Sequence, residues 1–150
     1  MRINKLTDYS IVILTNMVIN GDKKKCTAKE LSEITDIPLP TVTRILKMLS
    51  NKGLLDSQQG PQGGYSLTKS AENISVKEVI EAMEGPIALT ECADDDCGCA
   101  YETSCAVGKP WQKINKAIND VLQNINLAEM GMKDESQQLL KLTNIKEMSF

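Results

Sequence analysis

The 150-residue sequence predicts a mainly α-helical fold with a small β-hairpin wing: a winged helix-turn-helix domain followed by a long C-terminal dimerisation helix. Three observations predict it. A helix opening on Thr27-Ala-Lys-Glu30 is followed, after the short break Asp36-Ile-Pro-Leu-Pro40, by a second helix with Val42, Ile45, Leu46 and Leu49 at i, i+3, i+4 and i+7. Directly behind it, the glycine-rich stretch Gln58-Gln-Gly-Pro-Gln-Gly-Gly64 separates two short strand-like runs, Leu54–Ser57 and Tyr65–Thr68. Finally, Trp111, Ile114, Ile118, Val121, Leu122 and Ile125 form a wide apolar stripe at helical spacing, which suits packing against a second copy of the chain and equally packing back on its own domain.

Taken in order, Thr7 is expected to cap a first helix reaching about Asn20, with Ile11, Leu14 and Val18 on its core face and Ile13 and Met17 widening it. Gly21 and the run Asp22–Lys25 make a polar turn. Thr27 and Glu30 can satisfy each other's backbone donors as a capping box, and Ala28, Leu31 and Ile34 follow as an apolar face. The next helix begins near Pro40 and stops at Gly53, in the position where a left-handed residue ends helices. Ser75-Val-Lys-Glu78 is a second capping box. Val76, Val79, Ile80 and Met83 follow it, and Gly85-Pro86 stops the helix. Pro110 suits the first turn of the last helix. The organisation expected is a winged helix-turn-helix domain over 1–84, a cysteine-rich loop over 85–109, a dimerisation helix region over 110–131 and a tail over 132–150.

Charge is divided along the chain. Residues 1–69 hold ten Lys/Arg and six Asp/Glu, a net of +4, whereas residues 70–150 hold seven and fourteen, a net of −7. A basic front half suits a local DNA surface even though the whole chain is acidic. No segment is long enough to span a membrane. The apolar run Ile11–Ile19 follows Arg2 and Lys5, but Asp8, Thr15 and Asn16 interrupt the pattern and no small-residue cleavage site follows. It reads as a buried helix of a cytoplasmic protein.

The second helix of a helix-turn-helix presents its N-terminal residues to base edges in the major groove. With Val42, Ile45, Leu46 and Leu49 fixed inward, Pro40, Thr41, Thr43, Arg44 and Lys47 point away from the core. Arg44 can pair with a guanine, threonine can meet a thymine methyl or a phosphate, and Lys47 suits phosphate. At the wing, Gln59 and Gly60 stand where a tip with little side-chain bulk approaches the sugar–phosphate backbone. Taken alone, the polar face of the helix would also suit a solvated bundle helix.

Four of the five cysteines, Cys92, Cys97, Cys99 and Cys105, fall within fourteen residues, and the chain contains no histidine. In a cytosolic setting such thiols are ligands more often than disulfides. Soft thiolates suit iron–sulfur clusters and zinc, and a thiol–disulfide switch is the third reading. The spacing lacks the paired C-x2-C of a structural zinc site. Read as Cys92, Cys99 and Cys105 it is C-x6-C-x5-C, an open loop that fits a partly exposed cluster. Without histidine, any fourth ligand that is not a thiolate is an oxygen. Cys26, remote from the others in sequence, reads as a structural thiol.

These motifs together resemble the IscR/NsrR-like winged-helix transcription regulators. The resemblance rests on the opening Met1-Arg-Ile-Asn-Lys-Leu-Thr-Asp-Tyr9, the wing Gly60-Pro-Gln-Gly-Gly-Tyr65, the stretch Ile74-Ser-Val-Lys-Glu-Val-Ile80 and the three spaced cysteines before Trp111, and it runs to about residue 130. Glu84-Gly-Pro-Ile-Ala-Leu-Thr-Glu-Cys92 looks most like the branch regulating the SUF iron–sulfur assembly operon. The resemblance implies a homodimer on a palindromic DNA operator, with one [2Fe–2S] or [4Fe–4S] cluster per subunit held by Cys92, Cys99 and Cys105. The chain departs from the family in three places. Gly108 stands where one branch has a histidine ligand. Another branch uses an acid of the first helix reaching across from the partner, where this chain has Asp8; Cys97 and Glu102 compete with it for the fourth position. Gln59 replaces an arginine that often enters the minor groove, so the wing loses electrostatic attraction there. Cys97 itself lies outside the three-cysteine pattern.

A cluster enzyme or electron carrier is the reading from another class. It would leave the winged-helix half unexplained, and no cofactor loop or catalytic constellation supports it. The chain is therefore expected to be no enzyme and to take no small-molecule substrate. A metal-free thiol-redox or a zinc-responsive DNA-binding regulator is the alternative to a repressor of iron–sulfur assembly genes gated by its cluster.

Overall fold

The computed structural model describes residues 2–21, 24–88 and 108–131. Its elements run α1 (Lys5–Ile19), α2 (Ala28–Thr35), α3 (Leu39–Asn51), β1 (Leu55–Gln58), β2 (Gly64–Leu67), a short 3-10 turn at Ala71–Asn73, α4 (Val76–Glu84), α5 (Gly108–Asn124) and α6 (Leu127–Gly131). The described chain is thus mostly helical with one two-stranded hairpin, as expected.

The first helix starts a turn earlier than Thr7. Asn4 is its cap, accepting from the Leu6 N–H, and Thr7 lies inside the helix, fully buried. The core face is rotated accordingly: Thr7, Ser10, Ile13, Leu14 and Met17 are buried, while Ile11 and Val18 sit at its edges. A remote carboxylate explains the shift. Glu84, the last residue of α4, accepts from the Asn4 N–H and from the Thr7 hydroxyl, both at 2.7 Å. It thereby supplies from another helix the acid that a capping box carries at its third position.

Both sequence-local capping boxes form as expected, Thr27 with Glu30 and Ser75 with Glu78. On α2, Leu31 enters the core but Ile34 does not; Ile34 is 54% exposed, and Ile37, in the turn, is buried in its place. Val42, Ile45, Leu46 and Leu49 of α3 are completely buried. Gly53 ends that helix at φ +80°, with its N–H donating to Ser50 and the Leu54 N–H to Leu49, so the last carbonyls are satisfied by a left-handed turn.

The hairpin pairs Leu55 with Leu67 and Gln58 with Gly64, antiparallel, one residue displaced from the strand bounds expected. Cys26 adds a rung on the far side of β2: its N–H and carbonyl exchange two 2.8 Å hydrogen bonds with Tyr65. The wing is therefore tied to the residues that launch α2.

The C-terminal helix also differs from expectation. Its apolar stripe continues to Ile125, but α5 ends at Asn124. Val76 N–H donates to the Ile125 carbonyl and Leu127 N–H to the Ile74 carbonyl. Asn126 and Glu129 then exchange cap hydrogen bonds that start α6. Leu127 is fully buried and α6 lies against α1, so the core around α1 also takes in a residue of α6. No described helix is long and apolar enough to cross a membrane.

Candidate nucleic-acid interface

The reading unit is α2, a three-residue turn and α3. Side-chain hydrogen bonds fix the turn: the Ser32 hydroxyl donates to the Ile37 carbonyl at 2.7 Å and the Thr35 hydroxyl to the Leu31 carbonyl at 2.6 Å. Asp36 closes α2 in the left-handed region at φ +62°, a conformation that a short polar side chain tolerates better than a β-branched one. Sequence reasoning did not single out Asp36, although it opens the break that was recognised.

Burial of the α3 apolar face leaves Pro40, Arg44 and Lys47 exposed and Thr41 and Thr43 half-buried at its flanks. Arg44 and Lys47 form no ion pair with any described residue, so both charges are available to a polyanion. The Thr43 hydroxyl donates to the Leu39 carbonyl at 2.9 Å, one turn back. Its hydrogen is therefore spent inside the helix.

Gln59 and Gly60 are exposed at the tip of the wing, with Gly60 at φ +108°. Gly63 admits no side chain: a Cβ there would lie 2.3 Å from the Gln58 carbonyl oxygen. The Lys25 ammonium donates to the Gln58 side-chain oxygen at the loop end of β1. A groove between the wing and the start of α2 is lined by Thr27, Ser57, Gln58, Gly60, Pro61 and Tyr65.

Asp8 is exposed in the first turn of α1, in a groove it shares with Arg2, Ile3, Asn4, Lys5 and Ile11. No described residue donates a hydrogen bond to its carboxylate or pairs with it. Lys5, a neighbour along that groove, lies 5.4 Å from the Tyr9 ring centre. Cys92, Cys97, Cys99, Glu102 and Cys105 lie outside the described residues, as do 89–107 and the tail 132–150 generally. Among the described residues no three acidic, thiol or imidazole groups converge as a metal site. The one described thiol, Cys26, is buried in the rung beside Tyr65. Burial pushes its pKa up, the nearby Glu30 carboxylate adds to that, and Lys24 opposes it. A thiol buried and pushed up in this way has little of the thiolate character that reactivity requires.

Glu84 was missed, because nothing in sequence links it to Asn4 and Thr7, 80 and 77 residues away. It joins the start of α1, where Asp8 lies, to the end of α4, from which the cysteine-rich segment departs.

A helix pair set by a fixed turn, an outward polar face on the second helix and a hairpin wing define a winged helix-turn-helix DNA-binding protein. Residues 3–133 match the Rrf2 family, described as an iron-dependent transcriptional regulator. The chain belongs to that family, and it is a transcriptional regulator rather than an enzyme. Similar proteins include the HTH-type transcriptional regulator IscR of Erwinia tasmaniensis, 29% identical over 87% of this chain and 78% of that one. IscR of Klebsiella pneumoniae is 28% identical over 87% and 79%. Among solved structures, CymR, the global cysteine regulator of B. subtilis, shares the fold with a TM-score of 0.68 at 23% identity, covering 87% of this chain and 96% of that one. T. potens IscR does so with a TM-score of 0.66 at 21% identity, covering 100% and 92%.

Proposed function

We propose that the chain is a homodimeric repressor of iron–sulfur cluster assembly genes, of the SUF-regulating kind, whose affinity for a palindromic operator is set by a bound iron–sulfur cluster. The observation that carries this reading is the donor set: four thiols within fourteen residues, no histidine anywhere, in a family described as iron-dependent. Cys92, Cys99 and Cys105 would act as thiolate ligands, and Asp8 of the partner subunit would fill the fourth position. The exposed, unengaged Asp8 carboxylate supports that role; Cys97 and Glu102 are its competitors. Bound there as [2Fe–2S] or [4Fe–4S], the cluster would supply iron–thiolate bonds that cross-link residues 92–105.

The chain's own residues supply the rest. Arg44, Thr41 and Thr43 of α3 would read base edges, Lys47 would hold phosphate, and Gln59 and Gly60 would bring the wing to the backbone. Trp111, Ile114 and Val121 remain 37%, 45% and 59% exposed on α5. That open apolar face supports a dimer built on α5. Glu84 links the root of the cysteine segment to α1 and offers a route from cluster occupancy to the reading head.

Native mass spectrometry of anaerobically purified protein tests the reading, because one spectrum reports iron, sulfide and dimer mass. A dimer with two clusters is expected. Colourless protein with stoichiometric zinc, or a reversible disulfide among Cys92–Cys105 with no iron at any stage, would favour the zinc-responsive or thiol-redox alternative. Asp8→Ala should shorten the cluster's lifetime and shift its visible absorption; an unchanged spectrum moves the fourth position to Cys97, Glu102 or an exogenous ligand.

A further inference from the structure

The N-terminal end of α3 is almost free of polar groups. Pro38 is its cap and makes no side-chain hydrogen bond, and Leu39 and Pro40 form its first two positions. Pro40 has no N–H, and the Thr41 N–H donates to the Pro38 carbonyl at 3.0 Å. Little of the donor array that lets helix N-termini hold phosphate is left here. Leu39 meanwhile stands 44% exposed, although Ile37 and Val42 on either side of it in the sequence are buried.

Leu39 and Thr43 are four residues apart and so share one flank of the helix, beside the outward row of Pro40, Arg44 and Lys47. Because the Thr43 hydroxyl is held by the Leu39 carbonyl, Thr43 offers outward its γ-methyl and an oxygen that can only accept. The flank is therefore an apolar strip next to the guanine-seeking Arg44. In the major groove the one apolar mark that distinguishes bases is the thymine 5-methyl group.

We infer that Leu39 is a specificity-determining residue: with the Thr43 γ-methyl it reads thymine 5-methyl groups in the operator half-site. The inference rests on the DNA-reading role proposed for α3. It adds the residue that polar-face reasoning passes over, and it assigns Thr43 an apolar rather than a donating role.

The test uses the full-length dimer, purified anaerobically, and a duplex selected from a random pool. Each thymine of the half-site is replaced singly by deoxyuridine, which removes only the methyl group. Burying one methyl in a protein contact corresponds to roughly a fourfold change in affinity. At one or two positions, deoxyuridine should weaken binding by about that factor. Leu39→Ala should weaken binding to the thymine duplex similarly and lose the distinction between thymine and deoxyuridine at those positions. Thr43→Val, which keeps a methyl but no hydroxyl, should retain the distinction, and Thr43→Ser should diminish it. Circular dichroism melting confirms that each variant is folded. A half-site in which no thymine methyl matters would overturn the inference. So would Leu39→Ala weakening both duplexes equally. Failure to select any sequence would instead overturn the DNA-reading role itself, so the two failures are distinguishable.

Discussion

Helices α3 and α5 carry comparable apolar stripes, yet the molecule treats them oppositely. Every residue of the α3 stripe is fully buried, because α1, α2, β1 and α4 close over it. Among the described residues, the α5 stripe meets its own chain along one edge. There Asn115 is buried, and the Asn119 amide reaches the Ile87 carbonyl at 3.3 Å, while Trp111, Ile114 and Val121 stay open. The spacing of apolar residues states that a face needs a partner; it does not say whether that partner is the same chain.

Mutations sharpen that contrast. In α3, Leu46→Ala should destabilise the fold by about 2–5 kcal/mol, because it opens a cavity in a closed core; urea unfolding measures it. Ile114→Glu on α5 should leave the unfolding midpoint of dilute protein nearly unchanged but convert a dimer to monomers by sedimentation. It should also weaken binding to a two-half-site duplex by roughly 100-fold through lost avidity. A large loss of stability with no change in mass would show instead that the stripe packs on its own domain. On the exposed face of α3, Arg44→Ala should cost about 1–3 kcal/mol of operator binding and relax preference at one base pair, read by competition between duplexes. Lys47→Ala should weaken all sequences alike and reduce the salt dependence by about one phosphate contact. Smallest is Thr27→Ala at the α2 cap, at about 1 kcal/mol of stability, because the hydroxyl serves a single N–H.

The features legible in the sequence are those whose partners lie within a few residues. The two capping boxes and the Gly53 stop depend on neighbours at most five positions away, and the Val42–Leu49 face declares itself by a repeat within eight residues. The first helix starts at Asn4 and not at the expected Thr7, because its cap is completed by Glu84, 80 residues distant from Asn4. The rung between Cys26 and Tyr65 is equally non-local, and it explains why an isolated thiol is buried. Ile34 was placed inside by periodicity; the left-handed Asp36 turns the chain so that Ile37 fills the core there. The break after Asn124 was in fact written in the sequence. Asn126-Leu-Ala-Glu129 is a capping pattern, hidden by an apolar stripe that continues through Ile125. Of the candidate site, the exposure of Pro40, Arg44, Lys47, Gln59 and Gly60 followed directly from knowing which residues face the core. The part played by Leu39 did not, since leucine is ordinarily assigned to the interior.

The proposed switch requires that cluster occupancy change DNA affinity. The most direct test is the dissociation constant for one selected duplex, measured anaerobically on a single preparation before and after the iron is removed with a chelator. A change of tenfold or more is expected, about 1.4 kcal/mol of coupling between the cysteine segment and the DNA-binding domain. Equal dissociation constants for the two forms would contradict it.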